Sequence, residues 1–313
     1  MLSRTADSLY WMARYIERAD FLARILDAAS RFASLPASRG SAGDPWASAL
    51  ESSGCAPAFY ARHDHADEAS VRHFLAVDAD NPSSIRGCLE SARANARSVR
   101  TALTSELWGA INEAWIGLKT FARGIEDREA FSRFLDWVKS VALTFDGAAY
   151  RTLLRNDAYW FLRIGGQIER ADNTARLLDV KYHLLLPEDE TVGGGLDYFQ
   201  WTTLLREVSA LTAYRWVYRD TIQAWRVADL LILNRQMPRS LASCQAEIVS
   251  GLDLLADAYG RRGRSQRLAS SMLQKLNDST IDGIFQSGLH EFISDFLVEN
   301  GLLGAAVSEQ YLQ

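Results

Sequence analysis

A twelve-residue segment occurs twice in this chain. Residues 16–27 read IERADFLARILD and residues 168–179 read IERADNTARLLD, so nine of the twelve positions are identical at a shift of 152 residues. A repeat at about half the chain length is typical of two copies of one folding unit. The repeat therefore constrains the architecture of the protein, although it does not indicate a chemical activity.

Two further pairs of blocks follow the same order. Tyr10-Trp11 and Tyr159-Trp160 precede the two motifs, and NPSSI at residues 81–85 resembles MPRSL at residues 237–241, at a shift of 156. We therefore predict two internally duplicated halves, residues 1–150 and 151–313, that pack together as one unit.

The composition favours helices throughout. Only six prolines and 20 glycines interrupt 313 residues, which predicts an all-α helical bundle. Helix starts are expected at Ser84, at Thr104 or Ser105, and at Asp157. Residues 34–57, rich in Ser, Ala, Gly and Pro, are expected to form a loop or a partly disordered segment, and residues 188–195 a connector.

Several functional classes are excluded on composition. The net charge of −5 argues against nucleic acid as a partner. Three scattered cysteines suit neither a disulfide framework nor a zinc site. The sequence contains no run of eighteen apolar residues, so we predict no membrane span. The charged N-terminus does not resemble a signal peptide. A cytoplasmic location is expected.

The repeated motif carries a charged stripe. At 100° per residue, Glu17, Asp20, Arg24 and Asp27 share a sector roughly 80° wide, flanked by apolar residues, and we expect this stripe to face inward. The stripe recurs in the second motif. Arg18 and its counterpart point about 100° away from the neighbouring glutamates and are expected to serve a different interface. The second motif contributes the equivalent residues Glu169, Arg170, Asp172, Arg176 and Asp179.

Two interpretations of the stripe remain open. Buried carboxylates and guanidiniums are tolerated when they are paired, so the stripes could form a structural salt-bridge network where the two halves meet. They could instead line a polar cavity for an anionic or amino-acid-like group. A metal site is not predicted, because the di-iron bundle motif is Glu-x-x-His, whereas this motif is Glu-x-x-Asp beside arginine.

Four parts of this sequence resemble the bacterial alpha-E family, an all-helical domain named for its Glu-Arg motif. They are the repeated IERADxxARxLD, the opening LSRTADSLYWMARYIERAD, the NARSVR segment at residues 95–100 and the block at 159–179. The chain departs at Gly166, where the position of Arg14 would imply an arginine. The functional set that the resemblance implies is Glu17, Arg18, Asp20, Arg24, Glu169, Arg170, Asp172 and Arg176, with Arg97 and Arg100 as weaker candidates.

The resemblance also implies partners. Members of the family are encoded with, or fused to, ATP-grasp proteins and transglutaminase-like or peptidase-like proteins. We therefore expect a helical accessory subunit of an ATP-grasp amide or peptide ligase system that binds an amino acid or peptide at the motif helices. It would use Mg-ATP only through its partner.

Two alternatives stay open. One is a stand-alone enzyme with Glu17 or Glu169 as a general acid or base in an arginine-lined site. The other is a purely structural scaffold or interaction protein.

Overall fold

The fold is all-helical. A computed structural model describes residues 1–34, 44–183 and 195–313, without the side chains of 180–183 and 195–197. Within these residues there are fifteen α-helices and no strand, which confirms the predicted fold class. The helices are α1 Ser3–Phe32, α2 Pro45–Ser52, α3 Ala56–Tyr60, α4 Glu68–Ala76, α5 Ile85–Ser98, α6 Ser105–Phe121, α7 Arg128–Thr152, α8 Asp157–His183, α9 Gly195–Glu207, α10 Leu211–Tyr218, α11 Ala224–Ile232, α12 Leu241–Tyr259, α13 Arg264–Asp278, α14 Ile281–Ser287 and α15 Leu289–Val307.

The predicted helix starts are confirmed, and side-chain caps account for two of them. The Ser84 hydroxyl accepts a hydrogen bond from the Gly87 N–H at 3.0 Å, and the Thr104 hydroxyl accepts one from the Leu107 N–H at 3.2 Å. Such caps satisfy N–H groups that have no partner inside the helix. Helix α8 begins at Asp157, as expected.

The loop predicted over residues 34–57 is wrong for residues 45–52, which form α2, and for residues 56–57, where α3 begins. The Asp44 carboxylate accepts the Trp46 N–H at 2.9 Å, and Pro45 occupies the first helical turn. Both features favour a helix start. Trp46 and Leu50 are buried, so one face of this short helix is apolar. Residues 35–43, and residues 188–194 of the predicted connector, lie outside the described residues.

Helices α1 and α8 form the centre of the molecule and pack on each other more extensively than any other described pair. Helix α1 also contacts α5 and α7, while α5 contacts α6, and α6 contacts α7. On the other side, α8 contacts α12 and α15, while α12 contacts α13, and α13 contacts α15. The order of helix neighbours is thus the same before and after residue 150.

None of the helices in the described ranges combines the length and the apolar composition that a membrane-spanning segment needs.

The closest approach of the two central helices depends on a glycine. A Cβ atom added to Gly165 would lie 2.3 Å from the carbonyl oxygen of Tyr10. Real Cβ atoms do not approach backbone so closely, so α1 and α8 can meet at this distance only because residue 165 has no side chain. At the adjacent Gly166 the nearest atom would be the Ala13 Cβ, at 3.9 Å, which is ordinary contact.

These two glycines make a matched pair for a stability measurement. We expect Gly165→Ala to lower the free energy of unfolding by about 1–3 kcal/mol, because the methyl group overpacks the interface of α1 and α8. We expect Gly166→Ala to be neutral or to stabilise by about 0.5–1 kcal/mol, because alanine is the better helix former. Urea unfolding monitored by circular dichroism distinguishes the two, and equal effects would contradict the close packing.

Candidate functional site

The two motif helices exchange arginines. Arg170 on α8 donates to both carboxylate oxygens of Glu17 on α1, at 3.1 and 2.6 Å. Arg18 on α1 donates its Nε to Glu169 on α8 at 2.6 Å. Each arginine therefore reaches the glutamate of the other motif. The expectation that Arg18 and Arg170 serve a different interface is wrong, because Glu17 and Arg18 both contact α8 despite the roughly 100° between them.

Further charges complete the group around Glu17. Arg239, two residues before α12, donates to Glu17 at 2.8 Å and to Asp20 at 2.7 Å. Arg24 donates its Nε to Asp20 at 2.8 Å. Glu17 and Asp20 are only 5% and 1% exposed. We call Glu17, Asp20, Arg24, Arg170 and Arg239 the Glu17 cluster.

The Glu17 cluster is anchored to the surrounding helices. Arg24 donates its Nη1 to the backbone carbonyl of Glu207 at 2.8 Å and to the Ser209 hydroxyl at 2.9 Å. Arg170 reaches Asp146 of α7 at 3.2 Å. These contacts connect the motif helices to α7 and to the end of α9.

Gly166, where the resemblance implies an arginine, borders a void of about 20 Å³ beside Glu17 and Arg170. This volume is large enough to hold one water molecule. The counterpart residue Arg14 is instead used across the interface, where it donates its Nε to Glu169 at 2.7 Å.

The group around Glu169 is more open than the Glu17 cluster. Glu169 is 3% exposed and accepts from both Arg14 and Arg18. Arg176 donates its Nε to Asp172 at 2.7 Å, but their side chains are 39% and 22% exposed. We call Arg14, Arg18, Glu169, Asp172 and Arg176 the Glu169 cluster.

The arginines determine the protonation of the motif glutamates. Burial alone would raise the pKa of Glu17, but the guanidiniums of Arg170 and Arg239 lower that pKa to about 2. Burial likewise opposes ionisation of Glu169, yet Arg14 and Arg18 hold its pKa below the ordinary range. Both glutamates are ionised at neutral pH.

Two other buried carboxyls behave in the opposite way. Burial raises the pKa of Glu207 well above the ordinary range, and the nearby charge of Asp27 adds to this effect. Burial also raises the pKa of Asp146, although Arg170 opposes that shift. Neither residue was a candidate from the sequence.

The structure brings all eight motif candidates into the two clusters, and the expected inward orientation of the stripe is confirmed for Glu17 and Asp20. The two weaker candidates lie elsewhere. Arg97 is exposed on α5, and Arg100 stacks over Trp108 at 5.2 Å. No hydrogen bond among the described residues connects either of them to the motif residues.

Sequence reasoning missed Arg14 and Arg239 as partners of the glutamates, and Asp146 as a partner of Arg170. Arg14 lies four residues before Arg18, on the same helix face. Arg239 lies at the one position of the repeated NPSSI and MPRSL blocks where serine is replaced by arginine. Both signals were present in the sequence. Asp146 has no such signal, because it is adjacent only through the packing of α7.

The chemistry open to these clusters is limited by the arginines. Among the described residues no group of three or more His, Cys, Asp and Glu side chains could hold a metal ion. Guanidiniums already occupy the motif carboxylates, and a nearby positive charge opposes cation binding. The groups in these clusters that can still bind a ligand are the arginine N–H groups, which are suited to carboxylates and phosphates.

Comparison with known proteins places the chain in a family. The model of the Alpha-E family, described as a predicted alpha-helical domain with a conserved ER motif, matches residues 1–312. The chain belongs to the Alpha-E family. The exchanged Glu17–Arg170 and Glu169–Arg18 pairs are formed by the Glu-Arg dipeptides of its two motifs.

Similar proteins occur in mycobacteria. An uncharacterised protein of Mycobacterium bovis (strain ATCC BAA-935 / AF2122/97) and one of Mycobacterium tuberculosis (strain CDC 1551 / Oshkosh) are each 24% identical over 330 residues. The match covers 94% of this chain but 35% of each relative. The chain thus spans about a third of the length of these relatives. No solved structure matches this chain.

The depressed pKa of Glu17 predicts how stability depends on pH. Its folded-state pKa of about 2 lies below the unfolded value of 4.5. The stabilisation is therefore fully present above pH 4.5 and is lost as the pH falls toward 2, by an amount on the order of 3 kcal/mol. We expect Glu17→Gln to unfold more easily at pH 7 and to lose less stability than the wild type between pH 5 and 2.

The quantity to measure is the difference in unfolding free energy between wild type and Glu17→Gln at each pH. The contribution of Glu207, which has the opposite sign, is present in both proteins and cancels. The charge of Glu17 helps to raise the pKa of Asp146, so the contribution of Asp146 differs between the two proteins and offsets part of the Glu17 effect. Glu129→Gln, which alters an exposed ion pair, is the control and should leave the profile unchanged. A pH-independent difference for Glu17→Gln would contradict the assignment.

Proposed function

We propose that this chain is a helical accessory subunit that works with an ATP-grasp amide or peptide ligase, and that its Glu-Arg motifs join the bundle instead of performing catalysis. In this proposal the two halves, residues 1–150 and 151–313, are copies of one four-helix unit. The repeated sequence blocks and the matching order of helix neighbours support that relation.

The observation that carries the proposal is the exchange of arginines between α1 and α8. A general acid or base works best when its pKa lies near the working pH. With its pKa at about 2, Glu17 has no proton to donate at neutral pH and is a weak base. Both Glu169 oxygens also accept arginine hydrogen bonds. These contacts disfavour the alternative of a stand-alone enzyme built on either glutamate.

The partner class is proposed from the family resemblance. An ATP-grasp protein would supply Mg-ATP and the activated carboxylate, and a transglutaminase-like or peptidase-like protein would act on the product. The relatives are much longer than the matched region, which fits a unit that works beside other domains. The substrate would be an amino acid or a peptide.

A reconstitution experiment tests this proposal. The chain would be co-expressed with the ATP-grasp protein of the same organism, and complex formation measured by size-exclusion chromatography. Amide formation with amino acids would be followed through ADP release, with and without the chain. We expect co-elution and a higher rate when the chain is present.

The Glu17→Gln variant distinguishes the alternatives, provided that it is assayed below its unfolding temperature. An accessory subunit should retain its effect in this variant, because Glu17 is structural. A stand-alone enzyme would instead show turnover without a partner and lose it in Glu17→Gln. A pure scaffold would co-elute without changing the rate. Absence of both co-elution and stimulation would refute the proposal.

A further inference from the structure

A pocket of about 180 Å³ lies beside the Glu169 cluster. It opens between α1, α8, the turn joining α2 to α3, and Ser83, two residues before α5. Four charged side chains and one buried amide line it, and Phe21 and Leu22 of α1 provide an apolar wall. The polar lining consists of Arg18, Ser53, Ser83, Glu169, Asp172, Asn173 and Arg176.

The Glu17 cluster shows what occupies the corresponding space beside the other motif glutamate. The repeated NPSSI and MPRSL blocks align Ser83 with Arg239. The guanidinium of Arg239 bridges Glu17 and Asp20 at 2.8 and 2.7 Å. Ser83 has a short side chain at the equivalent position and lines the pocket. One site is therefore closed by the protein's own arginine, and the other is open.

The open site has unused hydrogen-bond donors. Arg18 and Arg176 each donate only Nε, to Glu169 and Asp172. Their terminal nitrogens have no hydrogen-bond acceptor among the described residues. Asn173 is 4% exposed, and its side-chain nitrogen also has no partner in the described part of the chain. An unpaired buried donor costs free energy until an acceptor arrives.

The charges favour an anion at this position. In the Glu169 cluster, the three guanidiniums of Arg14, Arg18 and Arg176 face two carboxylates. Both Glu169 oxygens are already occupied, so Glu169 cannot neutralise an incoming cation without losing an arginine. Asp172 has one oxygen engaged by Arg176, and its second oxygen can accept from a nitrogen beside the bound anion.

We propose that this pocket binds an α-amino acid, with its carboxylate on Arg18, Arg176 and Asn173 and its amino group on Asp172. Guanidinium groups match the planar carboxylate through paired N–H donors. The pocket volume of about 180 Å³ can accommodate a single amino acid. This inference rests on the proposed function in that it names the substrate class, but the site is complete within the isolated chain.

Isothermal titration calorimetry on the purified full chain tests the site without any partner. Each of the twenty proteinogenic L-amino acids would be titrated, followed by the carboxamide and N-acetyl derivatives of the tightest binder and by inorganic phosphate. We expect one amino acid per chain. We expect binding roughly tenfold weaker or more for the carboxamide, because it lacks the charged acceptor. The N-acetyl derivative should also bind more weakly, because Asp172 loses the ammonium.

Substitutions at the pocket provide matched controls. Ser83→Arg introduces the residue found at position 239 and should fill the pocket and abolish binding, whereas Ser83→Ala should preserve it. Arg176→Gln and Asn173→Leu should each weaken binding, and either one tests the site if Ser83→Arg does not fold. Arg133→Gln, which removes an arginine from an exposed pair, should have no effect.

Binding that survives in Arg176→Gln, Asn173→Leu and a folded Ser83→Arg would overturn the inference, as would the absence of any amino-acid binding. Equal affinity for inorganic phosphate and for the amino acid would also overturn it, since the site would then recognise any small anion. The reconstitution experiment with the ATP-grasp protein has an outcome that is independent of amino-acid binding. Amino-acid binding without a ligase complex refutes the proposed function alone, and a complex without amino-acid binding refutes this inference alone.

Discussion

The exchange of arginines between α1 and α8 is the interaction on which the rest of the structure depends. Removing a carboxylate from water is costly unless charged donors replace the water. Glu17 and Glu169 are both nearly inaccessible, and each receives an arginine from the opposite helix. Neither central helix can bury its motif alone, so the motifs favour the packed arrangement of α1 and α8 over other pairings.

The two clusters use the same motif but are completed differently. Around Glu17, Arg239 enters from the start of α12 and bridges two carboxylates. Around Glu169, Arg14 is the second donor, and Ser83 leaves an open pocket where an arginine could have stood. The Glu17 cluster is thus closed, and the Glu169 cluster retains arginine and amide donors that face a cavity.

The sequence could predict much of this fold, because helix periodicity and capping residues are local. The starts at Ser84 and Thr104 follow from side-chain caps, and the inward stripe follows from the 3.6-residue period. Helix α2 was missed because eight residues are too short for a periodic signal. The exchange of Arg18 and Arg170 between the two glutamates could not be predicted, because angular position gives the direction of a side chain but not the helix that lies there. The asymmetry between Ser83 and Arg239 was readable from the repeated blocks.

A double-mutant cycle on Glu17 and Arg170 tests the central claim most directly. The free energy of unfolding would be measured for Glu17→Ala, Arg170→Ala and the double variant. Because each single change leaves a buried charge without its main partner, each should cost about 3–5 kcal/mol. The double variant should cost less than their sum, with a coupling energy of about 1–3 kcal/mol. Additive effects, or single costs below about 1 kcal/mol, would show that the exchanged pairs do not hold the two helices together.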